Sequence, residues 1–188
     1  MATATSILLP EVESYLSSGV IPGVVGGEDW AGTGGETFQT RDPGSGELLA
    51  EVHAYSAADV DRAVAVANEA FRKSGWATLA PNDRGVRLHR FADLVESRKE
   101  IVAQIEAIDA GKLPAHALGD IQAFIGSLRF FADMAQHVQR RNQLAVAGHE
   151  AWTLRSPWGA CGFIFPWNFP MLLMGWGTAP ALAAGNTV

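Results

Sequence analysis

Cysteine is nearly absent from these 188 residues: Cys161 is alone, so no intramolecular disulfide framework exists and packing must hold the fold. Basic residues are missing from the first forty positions, Arg41 being the first. The start, MATATSILLPEVESYLSS, therefore offers neither the basic region of a secretory signal nor an Arg-rich transit face, and cytoplasm is the expected location. From 156 to 188 charge of either sign is lacking. Prolines 157, 166, 170 and 180 still leave no proline-free piece longer than nine residues, against the ~20 apolar residues of a membrane-spanning helix, so no membrane role is expected. A formal charge of −6 with no cluster of Lys and Arg excludes a nucleic-acid surface. The five histidines (53, 89, 116, 137, 149) include no i, i+4 pair and no cysteine partner spacing, so no metal site is expected. A phosphate-binding G-x-G-x-x-G is also absent, since Gly175-Trp176-Gly177 lacks the third glycine.

What is present suits a globular protein, 48% hydrophobic and 18% charged, with length for one sizeable domain or two small ones. Residues 19–35 hold seven glycines without a period and read as an irregular arm. Phe38 to Arg41 and Leu48 to His53 flank DPGSGE as a hairpin. Ser56 and Asp59 form an acidic capping box for a helix carrying Val60, Ala63, Val64, Ala67, Ala70 and Phe71. Asn82 is read as the cap of a second helix, Gly111 as the stop of a third, and Pro114 as the start of a fourth whose stripe runs from Leu118 to Val138. The period then changes to 2, with Leu144 and Val146, then Trp152 and Leu154, flanking AGHE in a second hairpin. Two strands alone bury too little, so that hairpin should find another surface or subunit.

The tail reads as ACGFIF (160–165), a strand buried on both faces, followed by PWN, a helix from about Pro170 to Ala184, Gly185 and a second strand beginning at Asn186: a βαβ unit. The fold class is α/β, a helical layer plus the start of a Rossmann-like parallel sheet, with a protruding hairpin. Ligands in such sheets bind beyond the carboxyl ends of the strands, where Phe165-Pro166-Trp167-Asn168 falls. Two prolines stiffen that loop, so Asn168 has two readings, a preorganised oxyanion donor or a cap for the following helix. Phe169, Leu172, Leu173 and Trp176 form an i, i+3, i+4, i+7 stripe that reads as core or as the wall of an apolar substrate tunnel. Cys161 sits among small residues with no basic neighbour and reads as structural.

PWNFP followed by APALAAGNTV, together with DPGSGELLAEV, SAADVDRAVAVANEAF, DAGK and RSPWGACGFI, closely resembles the amino-terminal part of the aldehyde dehydrogenase superfamily, from about Val24 onward. The resemblance implies that Phe165, Pro166, Trp167 and Asn168 run beside NAD or NADP, that Asn168 is the oxyanion donor, and that Phe169, Leu172, Leu173 and Trp176 line the substrate entrance. It implies the division 1–36 arm, 37–140 hairpin and helices of the cofactor domain, 141–157 oligomerisation hairpin, and 158–188 first βαβ unit. A homo-oligomer acting on a small aldehyde is expected of the whole protein. The nucleophilic cysteine and base glutamate of the family would lie beyond Val188, so this chain is expected to be truncated and inactive alone. The rival expectation is a truncated, non-catalytic chain that binds a family member through its hairpin or sheet edge. Gly177 stands where the family often has Lys, a departure expected to touch no placed role.

Overall fold

The computed structural model describes residues 8–138 and 140–188. Residues 1–7 of the predicted arm lie outside the described residues. The rest of that arm departs from the irregular reading. Pro10 opens α1 (Pro10–Leu16), with Glu11 and Glu13 in its first turn where the helix dipole favours acid, and Val12 fully buried. The short strands β1 (Val20–Ile21), β2 (Gly23–Val25) and β3 (Glu28–Trp30) follow. Gly26 and Gly27, at φ +67° and +86°, make the two-residue turn joining β2 to β3. The glycines taken for irregularity are thus the turn chemistry of a hairpin that needs positive φ at both central positions. Tyr55 clamps its open end, its hydroxyl donating to the Trp30 carbonyl at 2.7 Å and accepting from the Gly23 N–H.

The first predicted hairpin forms as β4 (Thr37–Arg41) and β5 (Leu48–His53), and β1 joins β5 in parallel to give the order β1-β5-β4. Next come α2 (Ala57–Lys73), a 3-10 turn (Trp76–Thr78), α3 (Pro81–Glu96), α4 (Lys99–Ala110) and α5 (Pro114–Met134). At α2 the capping box is reciprocal: Asp59 donates its N–H to the Ser56 hydroxyl and accepts from the Ser56 N–H at 2.9 Å. Asn82 does not cap α3. Pro81 takes the first helical position, leaving Ala80 as a cap without a side-chain bond and Asn82 inside the first turn. Gly111 ends α4 at φ +65°, as its lack of Cβ permits. Helix α5 ends at Met134; the expected stripe stays in the core as far as Ala135 but not to Val138, which is 53% exposed.

The core gathers α3, α4, α5 and the last helix, α6 (Pro170–Ala183), around Phe124, Ile121 and Leu128, all fully buried. Alanines 92, 103, 107, 132, 179 and 183 fill the contacts between helices, so the backbones approach closely. Each fully buried large side chain stabilises by roughly 1.5–3 kcal/mol. β6 (Arg141–Val146) and β7 (His149–Leu154) form the second hairpin, with Gly148 at φ +73° in its turn. None of its twelve strand residues is buried, so it stands off the body. Among the described residues no helix is long and apolar enough to cross a membrane.

The strand expected over 160–165 is not formed along its length. Its parallel pairing with the chain after α6 is one bridge, Ala160 to Thr187, with Cys161 N–H donating to the Thr187 carbonyl at 2.8 Å and Thr187 N–H to the Gly159 carbonyl at 3.1 Å. Burial on both faces is likewise overturned, because Ile164 is fully exposed. A strand needs a ladder partner on each side and layers above and below, and among the described residues only Thr187 pairs here.

Candidate active site

Helix α6 carries Leu172, Leu173 and Trp176, and the 165–169 segment leads into its first turn. Its carboxyl end is held by buried polar groups. Arg84, 8% exposed, donates from Nε to the Ala183 carbonyl at 2.9 Å and from Nη1 to the Leu79 carbonyl, and burial lowers its pKa from the usual guanidinium value. Asn186 accepts on Oδ1 from the N–H groups of Trp158 (2.6 Å) and Gly159 (3.1 Å) and donates from Nδ2 to the Ala181 carbonyl (3.0 Å). The indole of Trp76 donates to the Asn186 carbonyl at 3.0 Å. The residue after the helix thereby fixes the chain before the 160–165 segment.

At the amino end Pro170 takes the first helical position and Phe169 is the cap residue, with no side-chain capping bond. Asn168 therefore does not cap α6. It is exposed, and among the described residues its carboxamide has no hydrogen-bond partner. Trp167 is 81% exposed beside it. Phe165 stacks on Phe163 with ring centroids 5.6 Å apart and planes 8° from parallel. Both rings lie on Gly177, where a methyl group would come within 2.9 Å of Phe163 Cδ1 and 3.0 Å of Phe165 Cε1. Gly177 was expected to touch no placed role; it is the surface on which Phe165 rests.

The stripe Phe169, Leu172, Leu173 and Trp176 is not core. The core face of α6 is Met171, Met174, Gly175, Ala179, Leu182 and Ala183, whereas Phe169 and Trp176 are exposed and Leu172 and Leu173 half-buried. Gly175 lets α6 cross α5 closely, since a methyl there would sit 2.9 Å from the Phe124 ring. Beside this crossing lies a cleft of about 440 Å³ lined by Trp176 and, from α5, Ala123, Gly126, Ser127, Phe130 and Phe131. Of the four stripe residues only Trp176 reaches it. Sequence reasoning missed the α5 side, although Ala123, Gly126, Ser127 and Phe130 stand at i, i+3, i+4 and i+7, a small-residue face ending in an aromatic.

A second feature missed from sequence lies at the α4–α5 corner. Lys112 Nζ donates to Glu106 Oε1 at 2.5 Å and Asp120 Oδ2 at 2.6 Å, and lies 4.4 Å from the centroid of the Phe169 ring. Burial pushes the Glu106 carboxyl above its ordinary range, with Lys112 pulling against it. Burial draws Lys112 down, but its bonds to Asp120 and Glu106 more than offset that, and its pKa lies above the ordinary ammonium value. Cys161 Sγ donates to the Gly159 carbonyl at 3.8 Å.

Residues 30–188 match the profile of the aldehyde dehydrogenase family. The chain belongs to the aldehyde dehydrogenase family. Among curated relatives, an aldehyde dehydrogenase of Aspergillus niger is 40% identical over 164 residues, covering 87% of this chain and 33% of that protein. The cytosolic 10-formyltetrahydrofolate dehydrogenase of Xenopus laevis is 38% identical over 169 residues, covering 87% of this chain and 19% of that protein. The NAD+ complex of an aldehyde dehydrogenase from Bacillus cereus superposes with a TM-score of 0.90 at 34% identity, covering 96% of this chain and 37% of that one. The chain thus spans about a third or less of the length of these relatives and corresponds to the amino-terminal portion of the family. That likeness establishes the fold as the mixed α/β architecture of aldehyde dehydrogenases.

Proposed function

We propose that these residues form part of an NAD(P)-dependent aldehyde dehydrogenase that oxidises an apolar aldehyde to a carboxylic acid, with Asn168 as the oxyanion donor. The observation that carries this reading is the Asn168 carboxamide, exposed and without a partner among the described residues, at the head of an apolar stripe outside the core. A carboxamide N–H on a loop bounded by two prolines, with no partner among the described residues competing for it, is available to donate to a developing alkoxide. The run Phe165, Pro166, Trp167 and Asn168 suits an extended cofactor: Ile164 and Trp167 offer exposed apolar surface, and among the described residues no backbone hydrogen bond ties 162–168 to a distant segment. NAD or NADP, when bound, accepts the hydride.

In this reading a thiolate adds to the aldehyde carbon, Asn168 donates to the oxygen of the thiohemiacetal, and water hydrolyses the thioester left after hydride loss. Phe169, Leu172, Leu173 and Trp176 line the approach, extended across the 440 Å³ cleft by Ala123 and Gly126. The 188 residues supply the donor and the walls. They do not supply the nucleophile, because their only cysteine is Cys161. The hairpin at 141–157 serves oligomerisation, supported by the exposure of Leu144, Val146, Trp152 and Leu154, while 37–140 and 158–188 belong to the cofactor domain. The single cysteine accords with a cytoplasmic setting.

In a longer, active chain containing these residues, Asn168→Ala lowers kcat by roughly 10² to 10³, and a change below threefold refutes the donor role. A second reading is favoured by the exposed Ile164, Trp167 and hairpin: a non-catalytic chain that binds a family member. Incubating the 188 residues with NAD and an aldehyde yields no NADH under either reading, and enzyme-like turnover would show that the nucleophile has been misassigned. Co-purification with an active family member, without change in its kcat, would favour the second.

A further inference from the structure

We infer that Lys112 is a positioning residue for the loop that carries Asn168, acting through the ring of Phe169; the link to Asn168 rests on the reading above. Among the described residues the loop has few attachments. Between Cys161, bonded to Thr187, and the first turn of α6, no backbone hydrogen bond holds it to the rest of the molecule, and Asn168 makes no side-chain bond. Contacts at its two ends remain. Phe163 and Phe165 rest on Gly177 upstream, and the Phe169 ring faces Lys112 downstream. The upstream contact is apolar and carries no directional bond. The downstream one has direction, since an ammonium is attracted to the face of a ring and not its edge.

Lys112 is equipped to act as a fixed point. Its side chain is 11% exposed, and two of its three N–H donors are committed to Glu106 on α4 and Asp120 on α5. A lysine tethered at both carboxylates has lost the mobility of its four-carbon stem, so aligning the ring costs little further entropy. Glu106 is itself buried, with Oε2 lacking a hydrogen-bond partner, so the cluster is anchored in the helical body. The ring belongs to the residue following Asn168 and capping α6. Holding the ring over the ammonium restricts χ1 of Phe169 and with it the backbone positions open to the residue that follows Asn168.

Replacing Phe169 with mono-, di-, tri- and pentafluorophenylalanine drains the ring face of negative potential while nearly preserving shape, and leaves the Lys112 cluster intact. The reporter in the 188-residue chain is the Leu173 amide, which donates to the Phe169 carbonyl at 3.1 Å. A cation–π contact of about 0.5–2 kcal/mol corresponds to a rise in its exchange rate of roughly 2- to 30-fold across the series. The rise should be graded with fluorine number and vanish in the Lys112→Met background. If that variant fails to fold, the graded rise in the unmodified background decides alone. A flat series, or an equal rise without Lys112, overturns the anchor. The second arm uses a longer chain that oxidises aldehydes, where the same series lowers kcat in parallel with KM for the cofactor unchanged; kcat independent of fluorination while Leu173 exchange rises overturns the positioning role. Failure of Asn168→Ala to affect kcat removes the donor reading but leaves the exchange result standing, so the two failures are distinguishable.

Discussion

Replacing Asn186 with alanine removes three hydrogen bonds from the junction of α6 and the 158–161 segment. The side chain is 5% exposed and serves two amides and one carbonyl, at 2.6, 3.1 and 3.0 Å. At about 0.5–1.5 kcal/mol net for each, the direct loss is roughly 1.5–4.5 kcal/mol. Gly159 is buried, so its N–H would be stranded away from water, which favours the upper half of that range. A central value of about 3 kcal/mol lowers Tm by roughly 6–12 °C in a chain of this size. Urea denaturation followed by far-UV circular dichroism measures the loss as a lower midpoint at unchanged slope. Location is checked by hydrogen exchange. The Cys161 and Thr187 amides, which close the parallel bridge, should lose protection more than amides in α4. A loss under 1 kcal/mol, or unchanged protection of Cys161 and Thr187, would refute the claim that Asn186 holds this register.

Gly177→Ala should not stabilise. It gains about 1 kcal/mol of helix propensity but forces the Phe163 and Phe165 rings to shift, so near-UV circular dichroism changes while the urea midpoint does not rise; Gly119→Ala, in open space on α5, is the control that does rise. Asp59 accepts bonds from Ser56 and Thr33, which lower its pKa from 3.8 to about 2. Its contribution to stability is therefore fully present above the unfolded value near pH 4 and lost as pH falls toward 2. Asp59→Asn should flatten the dependence of the urea midpoint over that window, and an unchanged slope would contradict the assignment. Gly126→Leu fills part of the cleft at Trp176, so in an active longer chain kcat/KM for an aromatic aldehyde should fall at least tenfold while that for a two-carbon aldehyde stays within twofold.

How much was legible depended on the range of the interaction responsible. Helix limits set by neighbours a few residues apart were readable: the Ser56–Asp59 box, Pro114 at a first helical position, Gly111 and Gly185 at stops. Asn82 misled because two good starters stood side by side, and Pro81, whose missing N–H costs nothing at the first position, took it. Gly26-Gly27 was legible in principle, since paired glycines between apolar residues signal a tight hairpin. The site divides in the same way. The loop carrying Asn168 could be placed from its two prolines. The Lys112–Phe169 contact spans 57 positions and the Trp176–Ala123 cleft 53, and no local pattern encodes which helices cross there.

The two ends of α6 are held by different physics, and that difference bears on function. At the carboxyl end, buried polar groups bind specific backbone atoms through Arg84 and Asn186, and breaking the bonds to the Ala183 carbonyl or the Gly159 N–H strands a partner away from water. At the amino end the attachments are an aromatic stack on a glycine and a ring under an ammonium, neither of which leaves a buried donor or acceptor behind when it shifts. The helix between is packed on one face through Met171, Met174, Ala179 and Ala183. Displacement is thus cheap where Asn168 sits and expensive at Ala183 and Asn186. If Asn168 is the proposed donor, its placement depends on the Phe169–Lys112 and Phe165–Gly177 contacts and not on buried hydrogen bonds. Substitutions at those contacts should therefore act on kcat, while substitutions at Arg84 or Asn186 act on stability.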